Sequence, residues 1–263
     1  MPADTLGGLL ERRAERDGKA DDGADVLSAP GDPERRYDAP RLLTDARKTG
    51  NFCRQLGVGP GRTVAIADLP TPESVLALFG AALLGATARF VPVDASGNGT
   101  SDEDQEEIDA RVLVAPADGI DDFSTTAATK RVAYGARPED PEVAYFERDV
   151  WSENPTFPPS DVSNGDVALT TSSGEHAHGD LVTAAERVVE TQGLDPGIEV
   201  AVRAPLSDPR TVVAGVCASL ACGGVILLPD AETQGEVAVV AGDGANASEP
   251  TVIDVADVPL DDA

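Results

Sequence analysis

One stretch of this chain occurs twice. GVGPGRTVAIADLPTPESVLALFGAALLGATARFVPVD at 57–94 returns as GLDPGIEVAVRAPLSDPRTVVAGVCASLACGGVILLPD at 193–230. Gly57, Pro60, Gly61, Val64 and Ala65 match Gly193, Pro196, Gly197, Val200 and Ala201. After a one-residue insertion, Pro72, Val75, Ala77, Ala81, Leu83 and Pro92 match Pro209, Val212, Ala214, Ala218, Leu220 and Pro229. Each copy reads as a Gly-x-x-Pro-Gly turn, a strand, a proline-opened apolar helix and a second strand. A strand–helix–strand unit of this length makes a right-handed parallel crossover. Hydrophobic pattern alone makes any two such units look alike, but the shared turn and the prolines in register point to a duplication. The predicted fold is α/β, with two doubly wound parallel-sheet subdomains. Both helices are apolar nearly all round, so each packs between a sheet and a further layer.

The remaining elements fit that frame. Residues 5–16 place Leu6, Leu9, Leu10 and Ala14 on one helical face, and Val26-Leu27 is a short strand. Asp38 is the predicted N-cap of a helix with Pro40 in its first turn and Leu42, Leu43, Ala46, Cys53 and Leu56 on its apolar face, ended by Gly57. Strands are expected at 63–67, 90–93, 111–115, 131–134 and 143–146, a helix from Pro72 to Leu84, a polar loop at 98–104, and a short helix from a Ser101 cap to Ala110. The segment WSENPTFPPSDVSN at 151–164 is rich in proline and polar residues and divides the chain, giving a first subdomain at 1–158 and a second at 159–263. Glu236–Val240 and Thr251–Val255 are further strands, before an acidic tail.

Charge narrows the class of partner. Asp and Glu total 47 against 20 Lys and Arg, a formal net charge of −27, and the only lysines are Lys19, Lys48 and Lys130. The acidity is spread along the whole chain, which fits a surface adapted to concentrated salt better than an acidic nucleic-acid mimic. No basic stripe exists to meet nucleic-acid phosphates, and no apolar run approaches a membrane span. The N-terminus carries no signal-peptide core, and Cys53, Cys217 and Cys222 read as reduced core thiols. The expected location is the cytoplasm.

The stretch that carries chemistry is DVALTTSSGEHAHGDLVTAAERVV at 166–189. Val167-Ala168-Leu169-Thr170 reads as a strand, Thr171-Ser172-Ser173-Gly174 as a hydroxyl-rich turn, and Leu181, Val182, Ala185, Val188 and Val189 as a helix face. Strand, small turn and helix is a layout that aims backbone N–H groups at a phosphate. Thr171, Ser172, Ser173 and Gly174 are therefore the candidate phosphate-binding residues.

This loop resembles the ATP-phosphate loop of the adenylate-forming family (acyl-CoA synthetases, luciferases, adenylation domains), whose pattern is roughly YTSGTTGxPKGVxxTHxNL. Ser172-Ser173-Gly174 fall on TSG and Val182 on the valine after PKG. The likeness covers nearly the whole chain: the opening helix, LGVGPGRTVAI, the Gly-Ala pair before FVPVD and the proline-rich approach to the loop follow the family's order. It implies the family's large N-terminal domain, with its two similar α/β subdomains. The departures lie in the chemistry. Glu175 and His176 replace two threonines, Ala177 the second glycine, Gly179 the proline and Asp180 the lysine. Negative charge beside a triphosphate is unfavourable. Ala204-Pro205-Leu206-Ser207-Asp208-Pro209 stands where the family often has an aromatic-His pair. The YGxTE motif, the ribose-binding aspartate and the lid with its lysine would fall beyond residue 263, so the resemblance implies a truncated N-terminal domain that lacks the C-terminal lid.

The resemblance implies a degenerate AMP-binding, acyl-CoA-synthetase-like protein with little or no adenylation activity alone, serving a binding or accessory role. The alternatives are an active AMP-forming acid–thiol ligase completed by a partner polypeptide, and a structural or interaction module without nucleotide. If the ancestral activity survives, the cofactors are ATP or AMP with magnesium, and the ligand is an acyl group or adenine nucleotide. No catalytic residue is assigned. Glu175-His176-Ala177-His178-Gly179-Asp180 holds both histidines, but lacks a third; an exposed polar loop without metal is expected. No G-x-S-x-G elbow is present to make Ser172 or Ser173 a nucleophile.

Overall fold

The computed structural model describes residues 4–20, 23–30, 35–94, 99, 107–158, 161–172, 174–230, 232–242 and 247–260. The first half runs α1 (Leu6–Ala20), β1 (Asp25–Ser28), β2 (Arg36–Asp38), α2 (Ala39–Gln55), β3 (Thr63–Ala67), α3 (Pro72–Leu83), β4 (Thr87–Val91), β5 (Val112–Pro116), β6 (Lys130–Tyr134), β7 (Ala144–Tyr145) and a short α4 (Phe146–Asp149). The second runs β8 (Val167–Thr171), β9 (Gly174–Ala177), α5 (His178–Gln192), β10 (Glu199–Val202), α6 (Pro209–Thr211), a π-helical segment Val212–Cys217, α7 (Ala218–Cys222), β11 (Val225–Leu227), β12 (Val237–Val240) and β13 (Thr251–Asp254).

The strands build two mostly parallel sheets, ordered β7-β6-β5-β3-β4-β8-β9 and β13-β12-β10-β11-β1-β2. The duplicated segments lie in different sheets and are wound alike. β3 has β4 on one side and β5 on the other; β10 has β11 on one side and β12 on the other. The likeness extends beyond the repeated sequence. A hairpin and a helix precede each unit, β1–β2–α2 before β3 and β8–β9–α5 before β10. The hairpins are exchanged between sheets: β1 pairs parallel with β11, with Leu27 opposite Ile226, and β8 pairs parallel with β4, with Leu169 opposite Ala88. The division at 158/159 therefore does not coincide with the division between the sheets.

Local chemistry explains the elements. The Asp38 carboxylate accepts the Arg41 N–H at 2.7 Å at the start of α2, and Thr71 Oγ1 accepts the Ser74 N–H at 3.3 Å at the start of α3. Each helix has a proline in its first turn, where no N–H is needed. From its opening proline to its left-handed glycine, the run Pro209 to Gly223 is one residue longer than Pro72 to Gly85. The π segment, with its wider i→i+5 bonding, accommodates the longer helix, and the stretch from Gly223 to Pro229 is one residue shorter than that from Gly85 to Pro92. β4 begins at Thr87 rather than at 90, and Phe146 opens α4 rather than ending a strand. The polar loop expected at 98–104 and the Ser101 cap lie outside the described residues except Gly99, and Ile108 forms an isolated bridge to Thr125.

Every residue of α3 is buried, as its apolar circumference predicts. Leu76, Phe79 and Leu83 each contribute roughly 1.5–3 kcal/mol of burial. Val64 and Ile66 of β3 face the main core, while Ala65 and Ala67 face a smaller cluster with Leu113, Ala115 and Phe123. The three cysteines are buried free thiols, as their apolar helical settings imply.

α2 and α3 touch backbone to backbone at two glycines. A Cβ on Gly50 would lie 3.0 Å from the Gly80 carbonyl oxygen and 2.9 Å from the Phe157 ring, and one on Gly80 would lie 3.0 Å from the Gly50 nitrogen. Helix propensity favours alanine over glycine by about 1 kcal/mol, so overpacking must exceed that gain to be seen. Gly50→Ala is expected to destabilise the fold by a net ~1–2 kcal/mol in urea unfolding, because neither helix can withdraw without opening the core. A stabilised variant would show that the helices separate freely.

Candidate functional site

The turn at 171–174 is the tip of a β-hairpin. β9 returns antiparallel along β8, with Thr171 opposite Gly174, Thr170 opposite Glu175 and Leu169 opposite His176. Gly174 has φ of 146°, a backbone that favours glycine. Ser173 lies outside the described residues. The layout inferred from the sequence, a strand and turn leading straight into a helix, is therefore corrected: a four-residue strand separates the tip from α5. The first N–H groups of α5 are already engaged, His178 N–H donating to the Asp166 carbonyl at 3.0 Å and Gly179 N–H to Asn164 at 2.8 Å. They are not free to receive a phosphate.

The expected exposed histidine loop is likewise corrected. His176 and His178 are buried, at 2% and 0% exposure, because the strand alternates Glu175 outward and His176 inward before His178 tucks under the start of α1. His178 Nδ1 accepts the Leu6 N–H at 3.3 Å, and its Nε2 is buried without a partner. Burial pushes its pKa down to about 4, against a smaller upward pull from Asp166. The signal was present in the sequence: with each histidine read as a core side chain, Leu-Thr-Thr and Gly-Glu-His-Ala alternate as paired strands do. Among the described residues no three His, Cys, Asp or Glu cluster to hold a metal.

A cleft of about 680 Å³ opens beside the tip, between the two sheets. One wall is the end of β4 and β8, with Arg89, Phe90, Pro92, Thr170, Thr171 and Ser172. The other is the turn after β10 that leads into α6, with Ser207, Asp208, Pro209 and Arg210. That turn is held to the first sheet by Asp68, at the end of β3, whose carboxylate accepts the Leu206 N–H at 2.7 Å and the Ser207 N–H at 3.1 Å. Asp208 Oδ1 accepts the Arg210 N–H at 2.9 Å, and the Arg210 guanidinium donates to the Leu260 carbonyl at 3.1 Å. Glu175 and Asp180 do not line this cleft. Asp180 is exposed in the first turn of α5, where a carboxylate suits the helix dipole. Glu175 lines a second cavity of about 1040 Å³, around the Gly59-Pro60-Gly61 turn, whose charged lining is Arg54 against Asp161, Asp166 and Glu175. That acidic lining disfavours a polyanion. The structure thus brings Thr171 and Ser172 together with two arginines that no local motif marks.

No protein-family model and no curated protein matches the sequence. Solved structures do match in fold. The anthranilate CoA ligase AuaEII, in complex with anthranoyl-AMP, superposes with a TM-score of 0.70 at 17% identity, over 89% of this chain and 49% of that one. A benzoate CoA ligase from Burkholderia xenovorans LB400 gives 0.68 at 17% identity, over 89% and 50%. The N-terminal domain of FACL13 from Mycobacterium tuberculosis gives 0.66 at 16% identity, over 90% and 70%. The chain has the α/β fold of the N-terminal domain of adenylate-forming ligases, and spans about half the length of the first two. Among the described residues no helix is long and apolar enough to cross a membrane.

Proposed function

We propose that this chain binds an adenine nucleotide or acyl-adenylate in the cleft between its two sheets, with little or no adenylation activity of its own. The observation that carries the reading is the cleft itself: hydroxyls of the candidate loop and Arg89 of β4 on one wall, and Arg210 of α6 on the other. The neighbours add that two proteins of this fold bind such ligands, the ligase AuaEII anthranoyl-AMP and the nonribosomal peptide synthetase FmoA3 AMPPNP. Thr171, Ser172, Ser173 and Gly174 remain the proposed loop contacts, and a soluble cytoplasmic protein is the proposed setting. The divisions 1–158 and 159–263 are proposed as two halves locked by exchanged hairpins.

The low activity is argued from what adenylation requires. Charge building on a pentavalent phosphorus is neutralised by preorganised cations and metal. Asp180 stands where the resembling loop has lysine. Removing one such group typically costs ~10²–10³ in rate. ATP–pyrophosphate exchange by the purified chain with simple carboxylic acids is therefore expected to stay at background, while AMP binding is measurable by calorimetry in KCl. Robust exchange, abolished by Gly174→Val, would favour the second reading, a ligase completed by a partner polypeptide. The two arginines in the cleft are the feature that keeps that reading in play. Absence of binding by every adenine nucleotide would leave the interaction module.

A further inference from the structure

We infer that Arg89 is the anion-binding cation of the inter-sheet cleft, with Arg210 acting from the opposite wall, and that the ligand they hold is a phosphorylated small molecule. This rests on the nucleotide reading above and assigns its charge recognition.

Arg89 is unusual among the cations of this chain. It sits within β4, half-buried, between the buried Ala88 and Phe90. The other arginines that are buried or half-buried among the described residues each reach a carboxylate or a backbone carbonyl: Arg35 pairs with Glu73, Arg203 with Glu249 at 2.6 Å, and Arg111 donates to the Leu56 carbonyl at 2.6 Å. Arg89 has no hydrogen-bond or ion-pair partner among the described residues. In a chain with 47 acidic residues against 20 basic ones, a counterion is the easiest thing to supply. Holding a guanidinium part-way out of water without one is costly. An arginine left unpaired in a cleft is placed for an anion that arrives from outside.

The position defines which anion. Ala88 lies opposite Leu169, so Arg89 stands next to Thr170 at the base of the hairpin tip. A planar fork of donors beside a row of hydroxyls matches the oxygens of a phosphate, which a guanidinium meets with two parallel N–H···O bonds. Across the cleft stand Ser207 and Arg210, the latter also donating from its guanidinium to the Leu260 carbonyl at 3.1 Å.

The test is calorimetric titration of the full chain with AMP, adenosine and inorganic pyrophosphate, for wild type, Arg89→Gln and Arg89→Lys. AMP and pyrophosphate are expected to bind wild type, with adenosine about tenfold or more weaker. Arg89→Gln is expected to weaken both phosphate ligands by about ten- to a hundredfold, the usual loss for a charge-assisted contact, and to leave adenosine unchanged. Arg89→Lys should recover part of the loss, since it restores charge without the fork. Arg210→Gln gives an independent second reading, and a thermal melt of each variant checks folding. AMP bound equally well by wild type and both Gln variants would overturn the inference while leaving the nucleotide reading intact. Pyrophosphate binding that depends on Arg89, with no preference for AMP, would support the anion site and sink the nucleotide reading. No phosphate ligand bound at all would overturn both.

Discussion

The melting temperature should rise steeply as KCl is raised from about 0.1 M towards 1 M, a range in which the Debye length falls from ~10 Å to ~3 Å. The net charge is −27, so the compact state repels itself wherever that repulsion is unscreened. The fold shows where. Glu186 and Glu190 are both exposed one turn apart on α5, a like-charge spacing that costs a few tenths of a kcal/mol each time it occurs. Exposed pairs such as Arg131–Asp121 return little. The pairs that resist screening, Arg35–Glu73 and Arg203–Glu249, have their carboxylates buried. The shape of the curve separates this cause from ordinary salting-out. Screening saturates once the Debye length is shorter than the spacing of surface charges, so the gain should flatten towards molar salt. Salting-out of apolar surface keeps climbing with concentration. A melting temperature that is flat, or that rises in a straight line, would contradict a charge-dominated surface.

The local elements were legible in the sequence because the signals that set them are local. The Asp38 and Thr71 caps, the paired prolines and the Gly-x-x-Pro-Gly turns each act within a few residues. The duplicated pattern gave the two sheets. What the sequence could not show is which sheet each hairpin joins. Asp25–Ser28 and Val167–Thr171 are short strand patterns whose partners lie far along the chain, Leu27 opposite Ile226 and Leu169 opposite Ala88, and no local signal marks such a pairing. β9 was hidden because His176 and His178, read as polar, broke an alternation that they keep as buried side chains. The cleft was hidden for a similar reason. Arg89 lies inside a strand and Arg210 in the short helix α6 after β10, so no spacing links them; the Asp68 clasp on Leu206 and Ser207 ties their walls together.

The buried histidine gives the chain an acid sensitivity separable from that of its carboxylates. His178 is neutral in the fold, with Nδ1 accepting from Leu6 at the start of α1 and Nε2 enclosed. Protonation would set an N–H donor against the Leu6 N–H, at the positive end of two helices, α1 and α5. Asp166 alone offsets that, and burial prevails, holding the pKa near 4 where an unfolded histidine has about 6.5. Between those values the unfolded chain binds the proton and the folded chain does not. Stability is therefore full above roughly pH 6.5, falls as pH drops through that window, and stays reduced by about 3 kcal/mol below it. At roughly pH 5 the loss should be about 2 kcal/mol. His178→Gln keeps an acceptor for the Leu6 N–H and does not titrate. Urea unfolding of both proteins at roughly pH 7.5 and pH 5 isolates the histidine, because the carboxylates titrate alike in each and cancel in the difference. The variant should lose about 2 kcal/mol less than wild type over that interval. Equal losses in the two proteins would mean that His178 meets water or a counterion that relieves its charge.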